Sequence, residues 1–190
     1  MTTSLIRPTQ SHVTRTGRHR SSRPRALHLV DLENLVGGEI ASSRVHDIWS
    51  EFVRVVDHRH HDLSTVAVSQ RHSATAFFAL PSAIRRVVGK NCPDGADLAL
   101  IESVDVGWAA ANFGQVIIAS GDHIFAPVAR QFRAAGLRVV QVVGAGRCSA
   151  ELYRACSDHR YLSNSRAAAP LRPIGLASSP PAGRYRHPSS

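Results

Sequence analysis

Residues 116–132 read VIIASGDHIFAPVARQF. Apolar residues run straight into Ser120, Gly121 and Asp122. Helical spacing then puts Phe125, Val128, Ala129 and Phe132 on one face. A solid Val/Ile run without polar alternation marks a strand buried on both faces. Such a strand needs helices above and below it, so this stretch reads as one βα unit of an open parallel sheet. It also ends on a carboxylate, which is costly to bring to the tip of a buried strand.

The same unit recurs along the chain. Apolar runs predict strands at 26–30, 64–68, 84–88, 115–119 and 137–143. Helical periodicity fills the gaps at 44–56, 72–80, 96–111, 123–135 and 150–156. Pro81 stops one helix and Gly136 closes another. The expected fold class is α/β, three-layered, with a central, mostly parallel five-stranded sheet and helices on both faces. Ligands of such sheets bind outside the carboxyl ends of the strands, where the strand order reverses.

Charge divides the 190 residues into three parts. Residues 1–25 hold six arginines and no acid, and predict a disordered Arg-rich arm. Residues 163–190, rich in Pro, Ser and Arg, predict a second disordered tail with four arginines and no acid. The middle carries 13 basic and 14 acidic residues, so the net charge of +9 resides in the ends. Basic arms suggest a nucleic-acid partner; a merely solubilising tail is the plainer alternative. No apolar run approaches the ~18 residues of a membrane span, so no membrane partner is expected. Cys92, Cys148 and Cys156 form no C-x-x-C pair, which fits a reduced, cytoplasmic setting.

Three aspartates fall in comparable places. Asp31 ends the first strand, Asp122 follows the fourth, and Asp97 opens the helix that precedes the fourth. If the first and fourth strands are neighbours, all three meet at one sheet edge. Converging carboxylates repel one another. A hard divalent cation such as Mg²⁺ relieves that repulsion, binds carboxylate oxygen and completes its shell with phosphate. It can also activate water against a phosphodiester. For each aspartate taken alone, a helix cap or turn is the commoner role.

Five segments in order resemble the NYN domain family, a branch of the PIN-like nucleases. They are HLVDLENL at 28–35, PDGADLAL at 93–100, VIIASGDHIF at 116–125, GLRVVQVVG at 136–144 and SAELYRACSD at 149–158. The resemblance covers residues 26–162. It implies a PIN-like fold and an endoribonuclease that depends on Mg²⁺ or Mn²⁺, with RNA as partner and possible homo-oligomers. It carries the catalytic and metal-binding acids onto Asp31, Asp97 and Asp122, and substrate contacts onto Asn34 and Ser120. Two family acids are replaced, by Ile124 and by Ser103. The alternative is therefore a catalytically degenerate module of the same fold that binds RNA or a protein, and a third reading is a phosphohydrolase acting on other substrates.

Other motifs weigh less. Residues 57–62, DHRHHD, look like a metal-ligand run but read more simply as a solvated loop after a helix. Gly144 and Gly146 lack the third glycine and further βα unit of a dinucleotide site. Asp31-Leu32-Glu33 lacks the second aspartate of a haloacid-dehalogenase-type nucleophile. His123 beside Asp122 is a possible general base.

Overall fold

Six parallel strands form one sheet in the order β3-β2-β1-β4-β5-β6 in the computed structural model, which describes residues 24–165. The two predicted arms lie almost wholly outside that range. The strands are β1 (Ala26–Asp31), β2 (Leu63–Ser69), β3 (Arg85–Gly89), β4 (Gln115–Ala119), β5 (Arg138–Val143) and β6 (Asp158–Tyr161). The helices are α1 (Leu32–Val36), α2 (Ser42–Val56), α3 (Ser73–Phe78), α4 (Gly95–Glu102), α5 (Val106–Asn112), α6 (Ala126–Ala134) and α7 (Ala150–Ala155).

The central strands explain the three layers. Alternate residues of β1 and β4 enter different cores, because side chains along a strand point to opposite faces. Val30, Ile117 and Ala119 pack with Val45, Trp49 and Phe52 on the α2 side. Leu27, Leu29, Val116 and Ile118 pack with Leu100, Phe125 and Phe132 on the other. Phe52, Phe125 and Phe132 are fully buried. Truncating any one of them to alanine costs about 3–5 kcal/mol.

Two expectations need correction. The sheet has six strands, not five. The extra one, β6, is DHRY, four polar or half-buried residues paired to β5 along the edge. An edge strand has only one neighbour to match and needs no apolar run. The single helix expected at 96–111 is two, α4 and α5. Ser103 turns its hydroxyl back to the Leu100 carbonyl, 2.7 Å. Asp105 then starts α5 as its N-cap, accepting the Trp108 N–H at 2.6 Å. Among the described residues no helix is long and apolar enough to cross a membrane.

The chain runs outward from β1 to β2 and β3, then returns to place β4 on the other side of β1. The order therefore reverses between β1 and β4. The crevice beyond their carboxyl ends is the switch point.

Candidate functional site

The register Val30↔Ala119 makes the ends of β1 and β4 adjacent. Asp31 follows Val30, and Ser120 follows Ala119. The Ser120 hydroxyl donates to Asp31 Oδ2 at 2.8 Å, in a fully buried contact. The same hydroxyl accepts the Asp122 N–H at 3.1 Å, which fixes where Asp122 leaves the strand. Asp31 Oδ1 accepts the Asn34 N–H at 3.1 Å and so caps α1. Both oxygens of Asp31 are thus engaged, and the residue is 4% exposed.

Asn34 staples three loops together. Its Oδ1 accepts the Gly121 N–H at 2.9 Å, and its carbonyl accepts the Gly146 N–H at 2.9 Å. Its Nδ2 donates to the Arg147 carbonyl at 3.5 Å. Gly121 must be glycine for lack of space: a Cβ there would sit 1.6 Å from the Arg147 carbonyl oxygen. The glycines at 144 and 146 serve the same packing, against the backbone of Leu35 and Asn34. Their spacing reflects loop contact, not a dinucleotide cradle.

The third acid arrives from α4. Asp97 lies in its first turn, half-buried, with its carboxyl beside that of Asp31. Two carboxyls this close disfavour each other's ionisation. Burial, then the charge of Asp97, pushes Asp31 well above the ordinary carboxylate range. Burial raises Asp97 too, reinforced by the charges of Asp122, Asp94 and Glu33 and opposed by the bond to Asp31.

A residue that the sequence left unassigned completes the group. Oxygens of Asp94, Asp97 and Asp122 all lie within 4.8 Å of one another. Asp94 precedes α4 in the left-handed region, at φ 57, and its side chain caps nothing. Its carboxylate is left for the cleft. Asp122 caps the 3-10 turn His123–Phe125 through Ile124 N–H at 3.0 Å, and meets His123 Nδ1 at 2.9 Å. Among the described residues no lysine or arginine pairs with any of the three. Asp97 and Asp122 therefore stand in the group, while Asp31 backs it through Asp97. Asn34 and Ser120 hold its framework.

The two replaced acids have structural occupations. Ile124 is partly buried against the core on its side of the sheet. Ser103 closes the far end of α4, six residues or about 9 Å along the axis from Asp97. Glu102 and Asp105 share that distant end.

Glu33 forms a separate knot beside the group. Its Oε1 accepts from Ser69 N–H at 3.2 Å, from Ser69 Oγ at 2.5 Å and from His72 Nδ1 at 2.5 Å. Burial would raise Glu33, but these bonds outweigh it and hold the carboxyl below its ordinary range. Ser, His and Glu are present, yet this is no nucleophilic triad. There the serine and the acid address different ring nitrogens. Here both lie on Nδ1, at 3.4 and 2.5 Å.

The run 57–62 sits at the amino end of the sheet. Asp62 accepts from Ala26 N–H at 2.8 Å and Arg59 N–H at 2.9 Å, and meets His28 Nε2 at 3.4 Å. His58 bonds Ser64 Oγ at 2.9 Å. No metal-sized group forms there among the described residues.

Two cavities flank the three acids. One, of about 380 Å³, is lined by Glu33, Ser69, Arg71, Asp94 and Asp97. The other, of about 550 Å³, is lined by Asp94, Asp122, His123 and Arg147. Asp94 belongs to both. No protein-family model and no curated protein matches the chain.

Proposed function

We propose that the chain is a metal-dependent ribonuclease of the NYN branch of the PIN-like nucleases, hydrolysing RNA phosphodiesters at the carboxyl edge of β1 and β4. The observation that carries this reading is the group Asp94, Asp97 and Asp122, three carboxylates within 4.8 Å with no lysine or arginine paired to them among the described residues. All its donors are carboxylate oxygens, a hard set that suits Mg²⁺ or Mn²⁺. Such an ion supplies a bound water of lowered pKa and neutralises charge building on the phosphate. Asp97 and Asp122 would hold it, with Asp94 as the third ligand. Asp31, buried and bonded to Ser120 and the Asn34 N–H, would back Asp97 from inside the protein. Ser120 and Asn34 would fix the loop that presents Asp122.

A second reading is favoured by Ile124. An isoleucine packed into the core where the family carries a charge leaves one strong ion site rather than two. A module that holds RNA without cutting it would keep the cleft and lose turnover. Calorimetric titration with Mn²⁺ and cleavage of a single-stranded RNA, run on the intact protein and on Asp97→Asn and Asp122→Asn, decide between them. The nuclease reading expects one metal, lost in both variants, and cleavage lost with it. Metal binding without any cleavage selects the binding module. Metal binding unchanged in both variants rejects the site.

A further inference from the structure

The two cavities that share Asp94 each carry one arginine, Arg71 in the first and Arg147 in the second. Both side chains are exposed, and among the described residues neither guanidinium makes an ion pair or hydrogen bond. Both guanidinium groups are thus uncommitted within the folded body. Their backbones are fixed. The Arg71 N–H is held by Asn91 Oδ1 at 2.9 Å, which ties the end of β2 to the loop leading to Asp94. The Arg147 carbonyl is packed onto Gly121, with no room for a Cβ between them. Each arginine is therefore anchored to a loop that carries one of the acids, on opposite sides of the acid group.

We propose that Arg71 and Arg147 are the two phosphate holds of a single RNA strand that crosses the acid group from one cavity to the other, so that the bond presented to Asp94, Asp97 and Asp122 is an internal one. The inference rests on the nuclease reading for the chemistry at the centre, but not for the strand's path. A guanidinium takes two phosphate oxygens through parallel N–H bonds and suits this role better than an ammonium. An acidic centre alone would repel a polyanion. Two cationic holds flanking it, with a divalent ion offsetting most of the acids' charge between them, put attraction for phosphate on both sides of the bond presented to the acids. The folded body then contributes its own grip on RNA, beyond whatever the arginine-rich ends add.

The test uses the full-length chain with a labelled single-stranded oligoribonucleotide. Binding is followed against salt in Ca²⁺, to slow turnover, and cleavage is followed separately in Mn²⁺. Arg71→Gln and Arg147→Gln should each reduce the slope of log affinity on log salt by about 0.7. The double variant should lose about 1.4. Each single variant should lower cleavage of the oligomer at subsaturating substrate about tenfold, while cleavage of a dinucleotide, whose single phosphate is the one at the acid group and leaves none for either arginine, stays within about twofold. Arg71→Lys and Arg147→Lys should restore most of the slope. Arg130→Gln, an exposed arginine bound to Glu151 at 3.2 Å, is the control and should change neither readout. An unchanged slope in the double variant overturns the proposal. The two readings fail separately. Slopes that respond while Asp122→Asn leaves cleavage intact remove the nuclease chemistry and keep the strand path. Cleavage lost in Asp122→Asn while the slopes stay fixed does the reverse.

Discussion

The two edges of this sheet use aspartate in opposite ways. At the amino edge, Asp62 is inaccessible to solvent and surrounded by donors: Ala26 N–H, Arg59 N–H and the His28 ring. Burial would raise its carboxyl, but those bonds and the His28 charge win and hold it well below the ordinary range. At the carboxyl edge, Asp31 and Asp97 have too few donors for their burial and face like charges, and both are pushed up. One residue type thus stabilises the fold at one end and strains it at the other. Deeper burial and like charges push Asp31 up, while a full set of donors holds Asp62 down. Clustered strain of this kind is what a binding or catalytic site looks like.

The comparison breaks hardest at Asp62. Asp62→Ala removes the acceptor of the Ala26 and Arg59 N–H groups and a partner of the His28 ring. Removing one partner of a buried charged network costs about 3–5 kcal/mol. Urea denaturation should show a loss of that size with an unchanged slope against denaturant, and metal binding should survive wherever the protein stays folded. A loss below about 1 kcal/mol would mean that water replaces the carboxylate, and the contrast between the edges would disappear.

The next largest effect is at the acid edge. Ile124→Asp removes partly buried apolar surface and adds a like charge beside Asp122. Without metal it should cost about 2 kcal/mol, a cavity contribution of about 1 and a repulsion of similar size. With Mn²⁺ the cost should shrink and cleavage should rise, because a further oxygen ligand becomes available. Thermal melts with and without Mn²⁺ check the first point, and RNA cleavage checks the second. A cost that does not depend on metal assigns Ile124 to packing alone.

How much of this was readable beforehand follows the same physics. The five strands written in apolar residues were placed within one or two residues, because burial on both faces imposes solid runs. The adjacency of the first and fourth strands enters the sequence reading only as a condition, and the pairing of β1 with β4 meets it. β6 was not readable, since Asp158, His159, Arg160 and Tyr161 pair with one neighbour only and carry no pattern. Nor was α1, whose five residues are shorter than two helical turns. Asp94 was hidden differently. Pro93-Asp94-Gly95 reads as a turn, and Asp94 does make one, at φ 57. That turn is also what leaves its carboxylate uncommitted. The sequence reads Asp62 as part of a solvated loop, yet its carboxylate is closed in by the Ala26 N–H of β1 and the Arg59 N–H of its own loop, which spacing does not reveal.

The smallest effect sharpens the comparison most, because it carries opposite signs at the two edges. Consider stability against pH. Asp62 has a folded pKa below its unfolded value of about 3.9. Its contribution is fully present above that value and is lost as pH falls toward the folded pKa. Asp31 and Asp97 have folded values above the unfolded one. In the window between, the native state binds more protons than the unfolded state. Their contribution is thus present below about pH 3.9 and is lost as pH rises through the folded values. Asp97→Asn should remove part of that loss. Asp97 is half-exposed and water screens its repulsions, so the gain at neutral pH is only about 0.5–1 kcal/mol. The decline of stability from mildly acidic to neutral pH should flatten in the variant, while the acid limb governed by Asp62 keeps its shape. Adding Mn²⁺ should then invert the ranking. Metal at about one hundred times its dissociation constant stabilises the intact protein by about 2.7 kcal/mol. A variant that has lost the ion gains nothing, and it should become the less stable of the two. Denaturation at several pH values, with and without Mn²⁺, checks both signs. If Asp97→Asn loses stability at neutral pH without metal, its hydrogen bond to Asp31 matters more than its repulsions, and the carboxyl edge is held together by the pair rather than strained by it.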